Sequence, residues 1–439
     1  MRRTKMLFPV LAALLAAAAL FPPPGAAKTY ITIQDPFLRA IPLAIPVFLS
    51  GEGRAAAKAA YQATEEITEA LDFTRFFNIL PQKSYIADLS KGVAAKHLNF
   101  KDWTAIGAEL LITGKATVQD DVLVLELRLF DTYSQKLLVG KRYKGGLGDR
   151  RRMILRFAAK VVRELTGSAG IFDTRIAFVS TATNNKEIYT CDFDGKNIQQ
   201  VTKDESIALF PAWSRDGSHL AYTSYKGGAP HLYILDLSTR QGRVVAQKGL
   251  NITPAWSPTE FILAACLSRD GNPEIYSLTG DGKIIKRLTN NWGIDVSPAW
   301  FPDGKRMAYV SNRSGGPQIY LLDTETGESR RLTYEGDNNN APAVSPRGDM
   351  IAYQSRENGL FNIWVMSADG ENPVRLTQQE GSNESPCWSP DGTLIAYSST
   401  REGESRIYVM TSRGTKKRRL LLQDGEQSEP AWSPNLPDY

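Results

Sequence analysis

The chain has 439 residues, 42% of them hydrophobic and 23% charged; that composition excludes extensive disorder, and the length calls for more than one domain. Its formal charge of +5 includes Arg2, Arg3 and Lys5 of a leader expected to be removed, which leaves 49 basic against 47 acidic residues. So small an excess makes no electrostatic case for nucleic-acid binding, and three histidines in all argue against a histidine-rich metal site.

Residues 1–27 read as a secretory signal peptide. The three basic residues precede an apolar run from Met6 to Phe21, which Pro22, Pro23 and Pro24 stop. Gly25 and Ala27 then place small residues at the −3 and −1 positions of a cleavage site. Sixteen residues are short for a bilayer of about 30 Å, so a cleaved leader is expected rather than an anchor. The mature chain should be soluble, without membrane insertion.

Residues 28–168 predict an α/β domain. Thr29 to Ile33 alternates like a strand, and Ile45 to Leu49 forms a second, interrupted by Pro46. Arg54 to Leu71 predicts a helix with Ala57, Ala60, Tyr61, Ile67 and Leu71 on one face. A short helix from Trp103 to Ala108 should feed a strand at Leu110–Thr113. Strands Val122–Phe130 and Leu137–Tyr143 are joined by the hairpin Asp131-Thr-Tyr-Ser134. A closing helix runs from Asp149 to Leu165, with Arg150, Arg151 and Arg152 expected on a solvated face. Gly167-Ser-Ala-Gly170 is the linker.

Residues 171–439 carry a repeat. The phrase Pro-Ala-Trp-Ser-Pro-Asp-Gly, with variations, places Trp213, Trp256, Trp300, Val344, Trp388 and Trp432 at spacings of 43, 44, 44, 44 and 44. Strands of the type Leu220-Ala-Tyr222 and Leu232-Tyr233 follow, then a third such as Arg287-Leu-Thr289. Four short strands in about 44 residues is the period of a β-propeller blade. Asp216, Asp303 and Asp391 recur with the blades as turn formers, and the tryptophans should fill the wedges between blades. An orphan unit from Ile176 lacks a first strand, while Pro430-Ala-Trp-Ser-Pro434 is a first strand without a blade. Pairing the two gives a six-bladed all-β propeller closed by the C-terminal strand. Cys191, Cys266 and Cys387 fall in separate repeats; buried free thiols, or one disulfide with an odd thiol, are both open readings.

The chain has no G-x-S-x-G elbow, H-E-x-x-H, Cys-x-x-Cys or phosphate-binding Gly-rich loop. Only His219 and His231 lie in the propeller. The reading is therefore a non-enzymatic binding protein without cofactor or metal; the alternative is a secreted propeller hydrolase or lyase acting on peptide or saccharide. The loops leading into the innermost strands differ between blades and share one mouth, as a scaffold presents a protein-binding surface. Leu209, Leu250, Thr253, Asp295, Val296, Ser297, Asn340, Glu384 and Glu429 are the mouth residues expected to meet a ligand.

Asp102-Trp-Thr-Ala-Ile-Gly107, Thr174-Arg-Ile-Ala177, the repeated phrase and the terminal Pro430-Ala-Trp-Ser-Pro434 together resemble the TolB family of the Tol-Pal system over the whole mature chain. The resemblance implies a periplasmic, monomeric adaptor acting in envelope integrity and cell division. In that family the propeller mouth binds the lipoprotein Pal, and the mature N-terminal segment binds TolA of the inner-membrane motor. That segment spans Lys28 to Ala40 here, with Thr29, Tyr30, Ile31, Ile33, Asp35 and Phe37 as the TolA contacts. The Pal-contacting positions fall on Leu250, Thr253 and Val296, where studied members carry histidine, alanine and threonine. Some members are also used by colicins at the same mouth.

Overall fold

The computed structural model describes residues 39–86, 89, 92–168, 170–378 and 380–436. The signal peptide, the strand expected at Thr29–Ile33 and all six TolA-contact candidates lie outside the described residues.

The first domain is built on a mixed sheet. Its strands are β1 (Ile41–Ala44), β2 (Leu49–Ser50), β3 (Phe77–Ile79), β4 (Leu110–Gln119), β5 (Val122–Asp131) and β6 (Lys136–Gly146), in the order β3-β1-β4-β5-β6, with β2 also on β4. The single strand expected at Ile45–Leu49 is instead a break between β1 and β2, because Pro46 has no N–H to give a ladder. β5 shows why one face is buried: Leu123, Leu125, Leu127 and Leu129 are fully enclosed, while the alternate residues are half-exposed. Helices α1 (Arg54–Thr74) and α3 (Arg150–Thr166) cover that face; the short α2 (Phe100–Ala105) packs on the other through Phe100 and Trp103.

The buried face of α1 is rotated from the expected one. Ala56, Ala59, Ala60, Ala63, Ile67 and Leu71 are inside, whereas Ala57 is exposed and Tyr61 is 54% exposed. The alanines have no bulk to keep the helix off the sheet, so the tyrosine is left to solvent. The arginine run of α3 also departs from expectation. Arg150 makes a two-pronged pair with Glu66 (3.1 and 2.9 Å), and Arg151 reaches Asp192 (3.0 Å) and Asp194 (2.9 Å); only Arg152 stays at the surface, on Asp149.

Six four-stranded sheets make up the propeller, each antiparallel. Numbered by their innermost strands, blades 1 to 6 begin at Ala208–Trp213, Asn251–Trp256, Asp295–Trp300, Asn339–Val344, Asn383–Trp388 and Gln427–Trp432. Blade 6 joins its C-terminal inner strand to β7 (Arg175–Ser180), β8 (Glu187–Asp192) and β9 (Gln199–Gln200), with Trp432 opposite Ile176 and Gln427 opposite Ser180. The closed ring leaves no open sheet edge between first and last blades.

The tryptophans fill the wedges and also stitch them. Trp213, Trp300 and Trp388 donate from Nε1 to the carbonyls of Ala431, Ala255 and Ala343 in the preceding blade, at 3.0, 3.1 and 3.0 Å. The Arg-Leu-Thr phrases are not themselves outer strands, which lie upstream at Ile284–Arg287 and Ser329–Arg331. Their threonines, and Thr202 of the corresponding Gln200-Val-Thr202, have another task. Thr202, Thr289, Thr333 and Thr377 accept the N–H of Ile188, Ile275, Ile319 and Ile363, and donate to Glu187, Glu274, Gln318 and Asn362. Each turn aspartate caps its hairpin, as Asp391 does by accepting from Ser389 and from the amide and hydroxyl of Thr393. All three cysteines are free thiols.

The domains share a core. Phe73 of α1 meets Phe193 edge-on at 5.2 Å, and Phe193 meets Phe172 at 5.5 Å. Lys196 pairs with Glu69 at 2.6 Å, and the Arg418 guanidinium lies 3.5 Å from the centre of the Phe73 ring.

Candidate functional site: the mouth of the ring

The inner strands start in a common way. Their first residues (Ala208, Asn251, Asp295, Asn339, Asn383, Gln427) are buried, and the ladder slips at the third and fourth residues, as between Val296 and Ala299. The third residues, Phe210, Thr253, Ser297, Ala341, Ser385 and Glu429, all have left-handed φ between 48° and 57°, and each precedes a proline. None is glycine, so each is a strained position held by its surroundings. These six pairs ring a cavity of about 180 Å³ on the propeller axis.

The bulge frees N–H groups, and the preceding blade satisfies them. Thr253 Oγ1 accepts from Ser297 N at 3.1 Å, Gln354 from Ser385 N at 2.8 Å, Ser398 from Glu429 N at 3.1 Å, and the Glu429 carboxylate from Phe210 N at 2.6 Å. Glu429 is the one ionisable side chain in this ring. Burial pushes its carboxyl up to about 7, against the opposing pull of the Phe210 amide and Lys186.

The expected mouth residues thus separate into groups. Thr253, Ser297 and Glu429 line the axial cavity. Leu209, Val296, Asn340 and Glu384 sit one residue earlier, half-buried, and Leu250 is likewise half-buried just before its strand. Asp295 is not a surface group: it is fully buried, accepts from Arg313 at 2.9 Å and Asn291 at 2.5 Å, and its pKa is raised chiefly by desolvation. Its place among the ligand contacts is therefore corrected; it organises blade 3.

The rim holds residues that the repeat pattern concealed. Trp292 is 75% exposed, and Ile294 and Ile207 are each 43% exposed, all in loops that lead into inner strands. Apolar side chains so exposed on one rim are the usual anchors of a protein interface. The available signal was a tryptophan outside the repeated phrase, in the otherwise polar stretch Thr289-Asn-Asn-Trp-Gly293. Among the described residues no group of three or more His, Cys, Asp or Glu side chains could hold a metal ion, and no helix is long and apolar enough to cross a membrane.

Comparison with known proteins follows the same division. The family described as TolB amino-terminal domain matches residues 29–138, and the TolB beta propeller domain matches 162–436. Tol-Pal system protein TolB of Desulfosudis oleivorans is 49% identical over 265 residues, 60% of each chain. Protein TolB homolog of Chlorobaculum tepidum is 40% identical over 223 residues, 51% of this chain and 50% of its own. The matched stretch thus spans half to three-fifths of these relatives' length. The crystal structure of TolB from Acinetobacter baumannii superposes with a TM-score of 0.78 at 28% identity, over 90% of this chain and 97% of that one. With the propeller match alone covering more than half of its residues, the chain belongs to the TolB family.

Proposed function

We propose that this chain is a periplasmic, non-enzymatic adaptor of the Tol-Pal system. It is exported by cleavage of residues 1–27, and carries an α/β domain over 28–168 and the propeller over 171–439. The ring mouth binds the lipoprotein Pal, and the segment bearing Thr29, Tyr30, Ile31, Ile33, Asp35 and Phe37 binds TolA. Together these contacts couple the inner membrane to peptidoglycan and the outer membrane.

The observation that carries this reading is the mouth itself. Strained left-handed residues repeat around the axis, and exposed apolar side chains stand on the rim above them. A rigid scaffold with differing rim residues suits recognition of a protein surface. Leu209, Leu250, Thr253, Val296, Ser297, Asn340, Glu384 and Glu429 form the contact set, with Trp292, Ile294 and Ile207 added as anchors.

The test is titration of the purified mature chain with the soluble domain of Pal. Binding should be lost or fall at least about tenfold, or about 1.4 kcal/mol, in Val296→Arg and in Trp292→Ala with unchanged melting. Unchanged affinity in both variants would remove the mouth from the account. Deletion of residues 28–37 should abolish TolA binding and leave Pal binding in place.

A further inference from the structure

Blades 3 and 5 each hold an arginine in a socket of their own making. In blade 3, Arg313 donates from Nε to Ser311 Oγ (2.8 Å) and from one terminal nitrogen to Asp295 (2.9 Å) and the Tyr309 hydroxyl (2.7 Å); its guanidinium stacks 4.8 Å from the Tyr320 ring centre. In blade 5, Arg401 repeats this with Ser399 (3.0 Å), Asn383 (3.2 Å), the Tyr397 hydroxyl (2.8 Å) and the Tyr408 ring (4.2 Å).

Blade 4 lies between them and has every part of the socket except the arginine. One repeat of 44 residues from each neighbour, the corresponding positions are Ser355, Asn339, Tyr353 and Trp364, and the arginine's position is Glu357. The groups that arginine satisfies in the flanking blades are idle here. Asn339 Oδ1 is buried without a partner, and among the described residues the hydroxyls of Tyr353 and Ser355 make no side-chain hydrogen bond. Among the described residues no cation covers the Trp364 ring. A cavity of about 310 Å³ opens where the guanidinium would be, lined by Tyr353, Ser355, Trp364, Glu357, Glu335 and Gly336.

The cations nearest by are occupied elsewhere. Arg331 bonds the Thr333 carbonyl and stacks on Tyr334, Arg330 donates to the Asp369 carbonyl at 2.9 Å, and Arg375 holds Glu357 at 2.6 Å. A buried acceptor left unpaired is costly, and tryptophan offers the strongest aromatic face for a cation. Glu357 and Glu335 add negative charge at the opening. We propose that this socket receives an arginine side chain presented by a partner protein, taking the place that Arg313 and Arg401 fill in the adjacent blades. The inference does not depend on Pal being that partner, because the recognition chemistry belongs to the guanidinium alone.

The test uses the full mature chain and the peptide acetyl-Gly-Arg-Gly-amide, with its citrulline counterpart as a neutral isostere. Binding is read by calorimetry and by the indole N–H resonance of Trp364, assigned by its loss in Trp364→Phe. The arginine peptide should shift that resonance saturably, and the citrulline peptide should bind at least about tenfold more weakly, each tenfold being about 1.4 kcal/mol. Glu357→Arg fills the socket from within and should abolish the shift while the melting temperature shows a folded protein. If that variant does not fold, Ser355→Met, which blocks the cavity without adding charge, should abolish it instead. No shift with the arginine peptide, equal binding of the citrulline peptide, or undiminished binding by the filled variants would each overturn the proposal and leave a water-filled cavity only.

Discussion

Trp432 donates from its indole Nε1 to Thr174 Oγ1 at 2.8 Å, across 258 residues of chain. The bond ties the last inner strand to the residue just before β7, at the seam where the ring closes. Ser433 reinforces it, its Oγ accepting from Arg175 N at 2.9 Å.

Closure should therefore dominate stability. Trp432→Ala removes a large ring from the seam as well as the bond, and the expected loss is about 3–5 kcal/mol by chemical denaturation. Trp432→Phe keeps most of the packing and should cost only about 1–2 kcal/mol. Equal effects of the two would mean that ring packing contributes little at the seam.

Arg151 is a polar clasp between the domains, held between Asp192 and Asp194 of blade 6. Burial works against its charge, and the two carboxylates more than restore it, so its pKa is raised. Arg151→Ala leaves Asp192 with Asn197 and Asp194 with Lys196 but removes the charge held between them, and should destabilise by about 3 kcal/mol. Arg151→Lys should recover little of this, since one ammonium cannot copy the planar fork. Denaturant midpoints of the two variants decide the matter.

Glu429 gives a pH signature with a defined sign. Its folded pKa of about 7 lies above the 4.5 of a free glutamate, so the native state binds the proton more tightly than the unfolded state. Its contribution is present below about 4.5 and declines as pH rises to about 7, by at most about 3 kcal/mol. Glu429→Gln should flatten the difference between stabilities at pH 5 and pH 8. An identical pH profile in the variant would contradict the assignment.

The three thiols should react only on unfolding. Burial raises all of them, Cys266 and Cys387 to about 12, and Cys191 is enclosed on β8 opposite Ile176 of β7. Maleimide should label none quickly in the native protein and all three in denaturant. Rapid native labelling of any one would show local opening of its blade.

Much of this was legible because the propeller repeats itself. Trp213 and its counterparts fixed the blade count, and the offset between Ile176 and Pro430 announced the closure. The α1 face was misplaced because alanine marks a buried helix surface without the hydrophobic weight of Tyr61, which lies outside. Arg150 and Arg151 read as solvated charges in the sequence because their partners, Glu66, Asp192 and Asp194, lie 41 to 84 residues away, and no local pattern links them. Asp295 was misplaced for the reverse reason: the loop position suggested exposure, but the bulge turns the first residue of each inner strand inward. The left-handed ring at Phe210, Thr253, Ser297, Ala341, Ser385 and Glu429 left no glycine to betray it.

The central claim is that the mouth of a closed six-bladed ring is a protein-binding surface for Pal. Calorimetric titration of the mature chain with the soluble domain of Pal tests it most directly. The account predicts one-to-one binding that Val296→Arg and Trp292→Ala weaken at least about tenfold without lowering the melting temperature. Absence of binding by the folded wild-type chain, or full affinity in both variants, would contradict it.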